Sequence, residues 1–177
     1  MLFRSELAGN KINLSLFPSG FVFNNQTLRS ASIPPEQSIS KVITVENKAN
    51  YESMPYEEGT LIIYSHGYFS PDERAFLIQL ERVLSGIHTS CGTAYLHTGD
   101  LDYGGVKIFQ YIKKRIFPKL YPYLMDTQTY DQYMAYSEPI ETSKLEKLQR
   151  TAEPLLQPLI DKICAEKQVI EQESFLF

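Results

Sequence analysis

The sequence TGDLDYGG, residues 98–105, decides the fold, because it sets two carboxylates one residue apart between an apolar run and a glycine pair. Residues 93–97 are typical of a buried strand, and residues 106–112 have helical apolar spacing. Gly104 and Gly105 allow the backbone to turn tightly between them. Alternate side chains of an extended segment point the same way, so Asp100 and Asp102 are placed to hold divalent cations. The alternative is structural: Asp100 caps the next helix and Asp102 forms a turn.

A third carboxylate follows another strand. Residues 41–45 form a short β-branched run that is followed by Glu46, and residues 61–67 form a further strand that ends on glycine. Strands that alternate with helices predict a mostly parallel sheet with helices on both faces. Right-handed crossovers should then bring the first and third strand ends to one rim, where α/β proteins bind ligands. We therefore expect Glu46, Asp100 and Asp102 to form one site.

These motifs together resemble the Toprim fold, the metal-dependent catalytic domain of topoisomerases, primases and related nucleases. The segments that carry the resemblance are residues 45–47, 64–67, 99–105, 124–126 and 171–173. More narrowly, they are similar to the C-terminal Toprim domain of the JetD family, the nuclease subunits of Wadjet anti-plasmid systems, which are related to the topoisomerase VI A subunit. The resemblance covers residues from about 40 to 177. It implies an α/β, Toprim-like fold: a mostly parallel four-stranded sheet flanked by helices, with a short N-terminal β-hairpin extension.

The resemblance also implies a function. It predicts a hydrolase that cleaves DNA phosphodiester bonds with Mg²⁺ or Mn²⁺, with Glu46, Asp100 and Asp102 as catalytic residues and metal ligands. The implied partners are plasmid DNA, other subunits of a defence complex and, by analogy with topoisomerase VI, a second copy of the chain. No tyrosine matches the topoisomerase nucleophile, so a water-driven step is expected. Supporting roles are expected for Asn47, His66, Gly67, Gly104, Lys107 and Glu173.

Two histidines lie near the ends of predicted strands. His66 and His97 either face the site and assist proton transfer or are packed, hydrogen-bonded residues, which is the commoner state of a histidine in a strand.

The N-terminal region differs from the family pattern. JetD-like proteins carry a winged-helix-type DNA-binding region before the Toprim domain, whereas here residues 1–38 are a β-rich extension and linker and residues 39–177 form the catalytic domain. Residues 12–16 and 21–23, joined by residues 18–20, predict a hairpin. The chain is thus either a naturally short relative or a fragment, and we expect low activity in isolation.

Composition is that of one globular domain. The chain has 177 residues, is 43% hydrophobic and has a formal charge of −4. No apolar run approaches the roughly 20 residues that a membrane helix needs, which makes the cytoplasm the default location. The negative charge argues against a strong general grip on nucleic acid. A basic cluster nevertheless follows the DxD loop, and it is either a phosphate track or a solvated helix face: Lys107, Lys113, Lys114, Arg115 and Lys119.

Two other functional classes remain open. One is a DxD phosphatase, although such enzymes place the motif after the first strand and a Ser- or Thr-like residue soon after the second Asp, where this chain has Tyr103-Gly104-Gly105. The other is a non-catalytic interaction module whose acids are structural.

The remaining elements follow from local signals. Ser70, Pro71 and Glu73 form a capping box that should open a helix. The apolar stripe of that helix is predicted at helical spacing: Phe76, Leu77, Leu80, Val83 and Leu84. Residues 127–133 are polar and aperiodic and predict a surface loop. Residues 143–150 and 154–167 predict helices, with a break at Pro158.

Overall fold

A computed structural model describes residues 4–7, 10–13, 17, 20–55, 57–87 and 92–175. Two 3-10 turns, Met134–Tyr136 and Gln172–Phe175, accompany the regular elements. In chain order the described strands and helices are β1 (Arg4–Leu7), β2 (Asn10–Asn13), α1 (Asn25–Ser30), β3 (Ala31–Ser32), β4 (Lys41–Val45), α2 (Lys48–Ser53), β5 (Thr60–Tyr64), α3 (Pro71–Ile87), β6 (Ala94–Thr98), α4 (Tyr103–Arg115), β7 (Leu120–Pro122), α5 (Thr127–Gln132), β8 (Glu138–Pro139), α6 (Thr142–Gln149), α7 (Gln157–Glu166) and β9 (Gln168–Val169).

The central feature is a four-stranded sheet in the order β5-β4-β6-β7, with every neighbouring pair parallel. Val45 at the end of β4 lies in register with Tyr64 of β5 and Thr98 of β6. Four of the five β4 residues are buried, as expected for an inner strand covered on both faces. The predicted α/β fold with a four-stranded parallel sheet flanked by helices is confirmed.

The helices bury their predicted apolar stripes against this sheet. In α3, Phe76, Leu77, Leu80 and Leu84 belong to the core. The capping box at the start of α3 is also confirmed: Glu73 Oε2 accepts from Ser70 N at 2.7 Å, and Ser70 Oγ accepts from Glu73 N at 3.3 Å. No helix in the described part of the chain is long and apolar enough to cross a membrane.

The N-terminal hairpin was predicted with the wrong pairing. β1 pairs antiparallel with β2, and β3 adds to the other side of β1. Residues 21–23 are not a strand, and residues 14–16, 18 and 19 lie outside the described residues. The physical reason is aromatic packing: the Phe21 and Phe23 rings lie 4.8 Å apart, and Phe23 meets Phe76 of α3 edge-on at 6.0 Å. These residues anchor the extension to α3 and do not extend a ladder.

Two predictions in the C-terminal half were also wrong. Residues 127–132 form helix α5, where a loop was predicted. Asp126 Oδ1 caps the helix by accepting from Thr129 N at 2.7 Å, and buried Tyr130 donates its hydroxyl to Gln168 O at 3.0 Å. The Asp126 cap and the buried Tyr130 ring together stabilise this short helix, although its sequence has no apolar periodicity. Pro158 lies in the first turn of α7, where a backbone N–H would have no intrahelical acceptor, so its missing N–H does not break a helix.

Candidate active site

The site lies where the strand order of the parallel sheet reverses. The chain runs from β4 outward to β5 on one side, and from β6 outward to β7 on the other, so β4 and β6 are neighbours at the switch point. Open α/β sheets bind ligands in the crevice beyond the carboxyl ends of such strands. Glu46 follows β4 there, and its backbone N donates to Thr98 O of β6 at 3.0 Å. The Glu46 and DxD segments therefore leave the sheet side by side.

The Glu46 carboxylate reaches across to the DxD loop. Its Oε2 accepts from Asp100 N at 3.3 Å. This approach requires a glycine at position 99, because a Cβ there would contact Glu46 Oε2 and lie 3.3 Å from Glu46 Cβ. Gly99 thus leaves the space in which the Glu46 carboxylate sits.

The two aspartates of the DxD motif have different local roles. Asp100 Oδ1 accepts from Gln172 N at 2.8 Å, and Asp102 Oδ1 accepts from Gly105 N at 2.8 Å, which caps α4. The helix cap is therefore Asp102, not Asp100. Lys144 Nζ of α6 lies 3.9 Å from Asp102 Oδ2 and brings one cation to the edge of the site. Gly105 is required as well, since a Cβ there would lie 2.9 Å from the carbonyl carbon of Asp100.

A C-terminal segment completes the site. Leu101 and Ile170 pair through two backbone hydrogen bonds of 2.8 and 3.3 Å, which carries residues 171–173 to the DxD loop. Gln172 is fully buried there. Its Nε2 donates to Thr98 Oγ1 at 3.0 Å, and its Oε1 accepts from Asn47 N at 2.9 Å. One side chain thus ties the end of β4 to the end of β6, while its backbone N holds Asp100.

The acids are crowded enough to shift their protonation. Burial, and then the charge of Asp100, raises the pKa of Glu46 to about 8. Burial, and then the charge of Asp100, raises the pKa of Glu171 to about 7. Burial also raises the pKa of Asp100 itself, although its hydrogen bond from Gln172 opposes the shift. Desolvated carboxylates that face one another favour protons or cations over free charge.

The donor chemistry of the cluster fits a divalent cation, although no preformed cage is present. Carboxylate oxygens are the ligands that Mg²⁺ and Mn²⁺ prefer. Among the described residues, no group of three or more His, Cys, Asp and Glu side chains is gathered tightly enough to hold an ion as it stands. The oxygens are instead held by backbone N–H groups of Asp100, Gln172 and Gly105.

The remaining predicted residues occupy the rim. Asn47 caps α2 by accepting from Ala49 N at 2.8 Å, and its Nδ2 donates to Glu173 Oε1 at 2.9 Å. This contact joins the segment after β4 to the C-terminal segment. Gly104 lies in the first turn of α4, where a Cβ would be 3.1 Å from Asp102 Oδ1. Lys107 donates to Gln110 Oε1 at 3.0 Å on the same helix.

His66 faces α3. Its Nε2 lies 3.0 Å from Glu73 Oε1, and this contact joins the end of β5 to the capping box of α3. Both His66 (φ 42°) and Gly67 (φ 94°) adopt left-handed backbone conformations. Two successive residues of this kind turn the chain sharply after β5, which explains the glycine at position 67.

His97 is a packed, hydrogen-bonded histidine, as one of the two alternatives had it. The side chain is fully buried, and Nδ1 lies 2.8 Å from Thr44 Oγ1, whose hydroxyl is also 3.2 Å from Leu96 O. Nε2 has no hydrogen-bond partner among the described residues. Complete burial lowers the pKa of His97 to about 3 and keeps the ring neutral.

Neutral burial of His97 predicts acid sensitivity. The ring is uncharged in the folded state but protonates below pH 6.5 when unfolded, so its contribution to stability is complete above pH 6.5 and is lost as the pH falls toward about 3. We expect His97→Asn to reduce the slope of unfolding free energy against pH in this window by roughly 1 kcal/mol per pH unit. Urea unfolding at several pH values measures the slope of unfolding free energy against pH for each variant. Tyr95→Phe, a buried substitution on the same strand, should keep the wild-type slope, and an unchanged slope in His97→Asn would contradict the assignment.

Sequence reasoning missed two residues of the site. Glu171 and Gln172 entered only as part of a segment that carries the family resemblance, yet Glu171 is a further carboxylate beside Asp100 and Gln172 is the buried link between strands. The separation in sequence hides them, since Gln172 lies 125 residues from Asn47. The available signal was the polar stretch EQES, residues 171–174, after the short apolar run at residues 169–170, but no spacing rule connects it to β4.

The fold and the site define a class: an α/β domain with an acidic cluster at the switch point of a parallel sheet. Residues 7–177 match the family described as Wadjet protein JetD, C-terminal, and the chain belongs to this family. Over 173 residues it is 34% identical to the Wadjet protein JetD of Bacillus cereus (strain Q1). That alignment covers 95% of this chain but 41% of the relative, so the chain spans less than half of the relative's length.

Proposed function

We propose that this chain is the metal-dependent DNA endonuclease domain of a JetD-like anti-plasmid defence protein. The observation that carries the proposal is the approach of Glu46 Oε2 to Asp100 N, at 3.3 Å, which brings the acids of two adjacent strand ends to one rim. Membership of the JetD family supports a role in the Wadjet system. The proposed partners are plasmid DNA, the other subunits of the complex and a second copy of the chain, and work on plasmids would place the activity in the cytoplasm.

In this proposal Glu46, Asp100 and Asp102 hold Mg²⁺ or Mn²⁺. The bound ions would polarise the scissile phosphoryl group and stabilise the leaving oxygen. The chain's own contribution is position. Hydrogen bonds from Gln172 N and Gly105 N fix one oxygen of each aspartate. The raised pKa of Glu46 reflects its burial first and the neighbouring carboxylate charge second, and cations would offset that charge.

Glu46 also has a place in proton transfer. With its pKa raised to about 8 by burial and by Asp100, the metal-free carboxyl group carries a proton at neutral pH. It is a ligand when ionised and a general acid when protonated. Attack by water is the proposed nucleophilic step.

A cation titration tests this function without depending on turnover. Ligands that bind only the folded state raise its stability by about 2.7 kcal/mol at a hundredfold excess over Kd. We expect the thermal midpoint of the chain to rise with MnCl₂ concentration in chelator-treated buffer. The double variant Asp100→Asn/Asp102→Asn should lose this rise, whereas Asp161→Asn, an exposed acid on α7, should keep it.

The alternative hypothesis is a non-catalytic module whose acidic side chains cap helices and stabilise the fold. It is favoured by the observation that the described residues contain no group of three or more potential metal ligands close enough to hold an ion. A midpoint that does not respond to Mn²⁺, together with plasmid DNA that stays intact in the presence of the full defence complex, would support that alternative. A phosphatase is disfavoured because the DxD motif follows β6, which comes third in chain order among the strands of the parallel sheet.

A further inference from the structure

A basic groove runs along α4 beside the carboxylate site. It has a volume of about 690 Å³. We call it the α4 groove and define it by six of its lining residues: Tyr68, Lys107, Tyr111, Lys113, Lys114 and Arg115. We infer that the α4 groove binds the phosphodiester backbone of the DNA strand next to the cleaved phosphate, an inference that rests on the proposed nuclease function.

The charge of the groove opposes that of the whole chain. The protein carries a formal charge of −4, yet four cations line this groove against one carboxylate, that of Glu153. Glu153 is buried and pairs with Lys113 at 2.7 Å, which leaves the other three cations in excess. A concave surface lined by one sign of charge focuses the field and attracts the opposite charge.

Helix stability explains only part of this pattern. Cations in the last turn of a helix offset its dipole, which accounts for residues 113–115. It does not account for Lys107, which lies in the first half of α4, or for the aromatic residues of the same groove. A groove that combines basic side chains with accessible aromatic rings has the chemistry that nucleic-acid strands require.

Tyr68 belongs both to the groove and to the turn that follows β5. The left-handed turn at residues 66–67 precedes it, and the side chain is 56% exposed. Its ring meets Tyr111 edge-on at 5.0 Å, while Tyr111 is fixed by a 2.9 Å hydrogen bond to Phe69 O. The groove runs along α4, whose N-cap is Asp102 of the carboxylate site, so the basic side chains and the acids belong to one helix and its cap. A strand that follows α4 would present a phosphate to the cation site.

The test is DNA binding by the full chain without divalent cations, measured by fluorescence anisotropy with a short labelled duplex of mixed sequence. Each lysine that contacts a phosphate contributes about one unit to the slope of log affinity against log salt. We expect Lys114→Glu to lower affinity about tenfold near 0.1 M salt and to reduce that slope by about 1. Adding Arg115→Glu should produce a second loss of similar size.

Arg82→Glu is the matched control, because it makes the same charge change at an exposed position of α3 outside the groove. It should change affinity less than about twofold. Thermal midpoints of the variants should agree with the wild type. Equal DNA affinity of Lys114→Glu and Arg82→Glu would overturn the inference that the α4 groove binds DNA. Absence of DNA binding by the wild-type chain would overturn it as well. Displacement of the duplex by polyglutamate at equal charge concentration would also overturn it, because it would show a general polyanion surface.

The same experiments separate this inference from the proposed function. If Lys114→Glu binds DNA with wild-type affinity while plasmid cleavage still requires Asp100, the inference about the α4 groove is refuted and the proposed nuclease function is retained. If Lys114→Glu loses binding while Asp100→Asn/Asp102→Asn changes neither Mn²⁺ binding nor cleavage, the groove stands as a DNA-binding surface, and the assignment of the aspartates to metal binding and cleavage fails.

Discussion

Glu46→Gln is expected to move stability and activity in opposite directions. At pH 8 in the presence of a chelator, the variant should unfold at a higher temperature than the wild type. In Mn²⁺, a full defence complex that carries the variant should cleave supercoiled plasmid about a thousandfold more slowly, the scale of losing one preorganised electrostatic group. A residue that served the fold alone would not separate the two measurements in this way.

The stability gain follows from the shifted pKa of Glu46. The carboxyl group ionises near pH 4.5 when unfolded but only near pH 8 when folded, since burial and Asp100 oppose its charge. The folded state therefore binds more protons than the unfolded state between these values, and stability falls as the pH rises through this window. The loss is roughly 1 kcal/mol per pH unit. Glutamine has no charge to bury, so the difference between variant and wild type should grow from pH 5 to about pH 8.

Thermal unfolding of the chain at several pH values measures the first effect, and plasmid cleavage by the full defence complex that carries the same variant measures the second. Glu57→Gln is the control: a hydrogen bond from Lys41 lowers the pKa of this exposed carboxyl group, so its loss should not raise the midpoint. Cleavage should be unaffected in that control. Undiminished plasmid cleavage with Glu46→Gln would refute the catalytic role of Glu46. An unchanged thermal midpoint at pH 8 would refute the raised pKa of Glu46 as a source of instability.

The parts of the fold that sequence predicted are those set by local patterns. The β-branched run of β4, the capping box at Ser70 and the apolar stripe of α3 each carry their own signal, and all appear as expected. The proximity of Glu46 to the DxD loop followed from topology, because β4 and β6 are parallel neighbours and their carboxyl ends lie at the same edge of the sheet. The grouping of Glu46 with Asp100 and Asp102 needed no knowledge of side-chain contacts.

The parts that sequence did not predict depend on contacts between distant segments. Helix α5 exists because Tyr130 is buried and reaches Gln168 O, a partner 38 residues away. The N-terminal hairpin formed elsewhere because Phe23 packs on Phe76 of α3. The position of Glu171 and Gln172 at the site depends on the pairing of Leu101 with Ile170. Such contacts leave no periodic trace, so a single sequence does not reveal them.

Gln172→Ala is the second substitution with a large expected effect. The side chain makes two hydrogen bonds in a fully buried position, to Thr98 Oγ1 at 3.0 Å and from Asn47 N at 2.9 Å. Truncation leaves the buried Thr98 Oγ1 without this partner, at about 1–3 kcal/mol, and leaves the partly buried Asn47 N unsatisfied at a smaller cost. The space between β4 and β6 would also lose its filler. We expect lower stability and, at temperatures where the variant remains folded, weaker Mn²⁺ binding by about 10- to 100-fold, the usual effect of losing a residue that orients metal ligands.

Thr98→Val separates positioning from general stability, because it removes one hydrogen-bond partner of Gln172 and leaves the glutamine itself in place. Its Mn²⁺ affinity, measured by calorimetry, should fall between those of the wild type and Gln172→Ala. Gln157→Ala, which loses an exposed hydrogen bond to Asp161, should bind Mn²⁺ as the wild type does. If Gln172→Ala is destabilised but binds Mn²⁺ with wild-type affinity, Gln172 braces the fold alone, and the alignment of Glu46 with Asp100 must then come from the sheet itself.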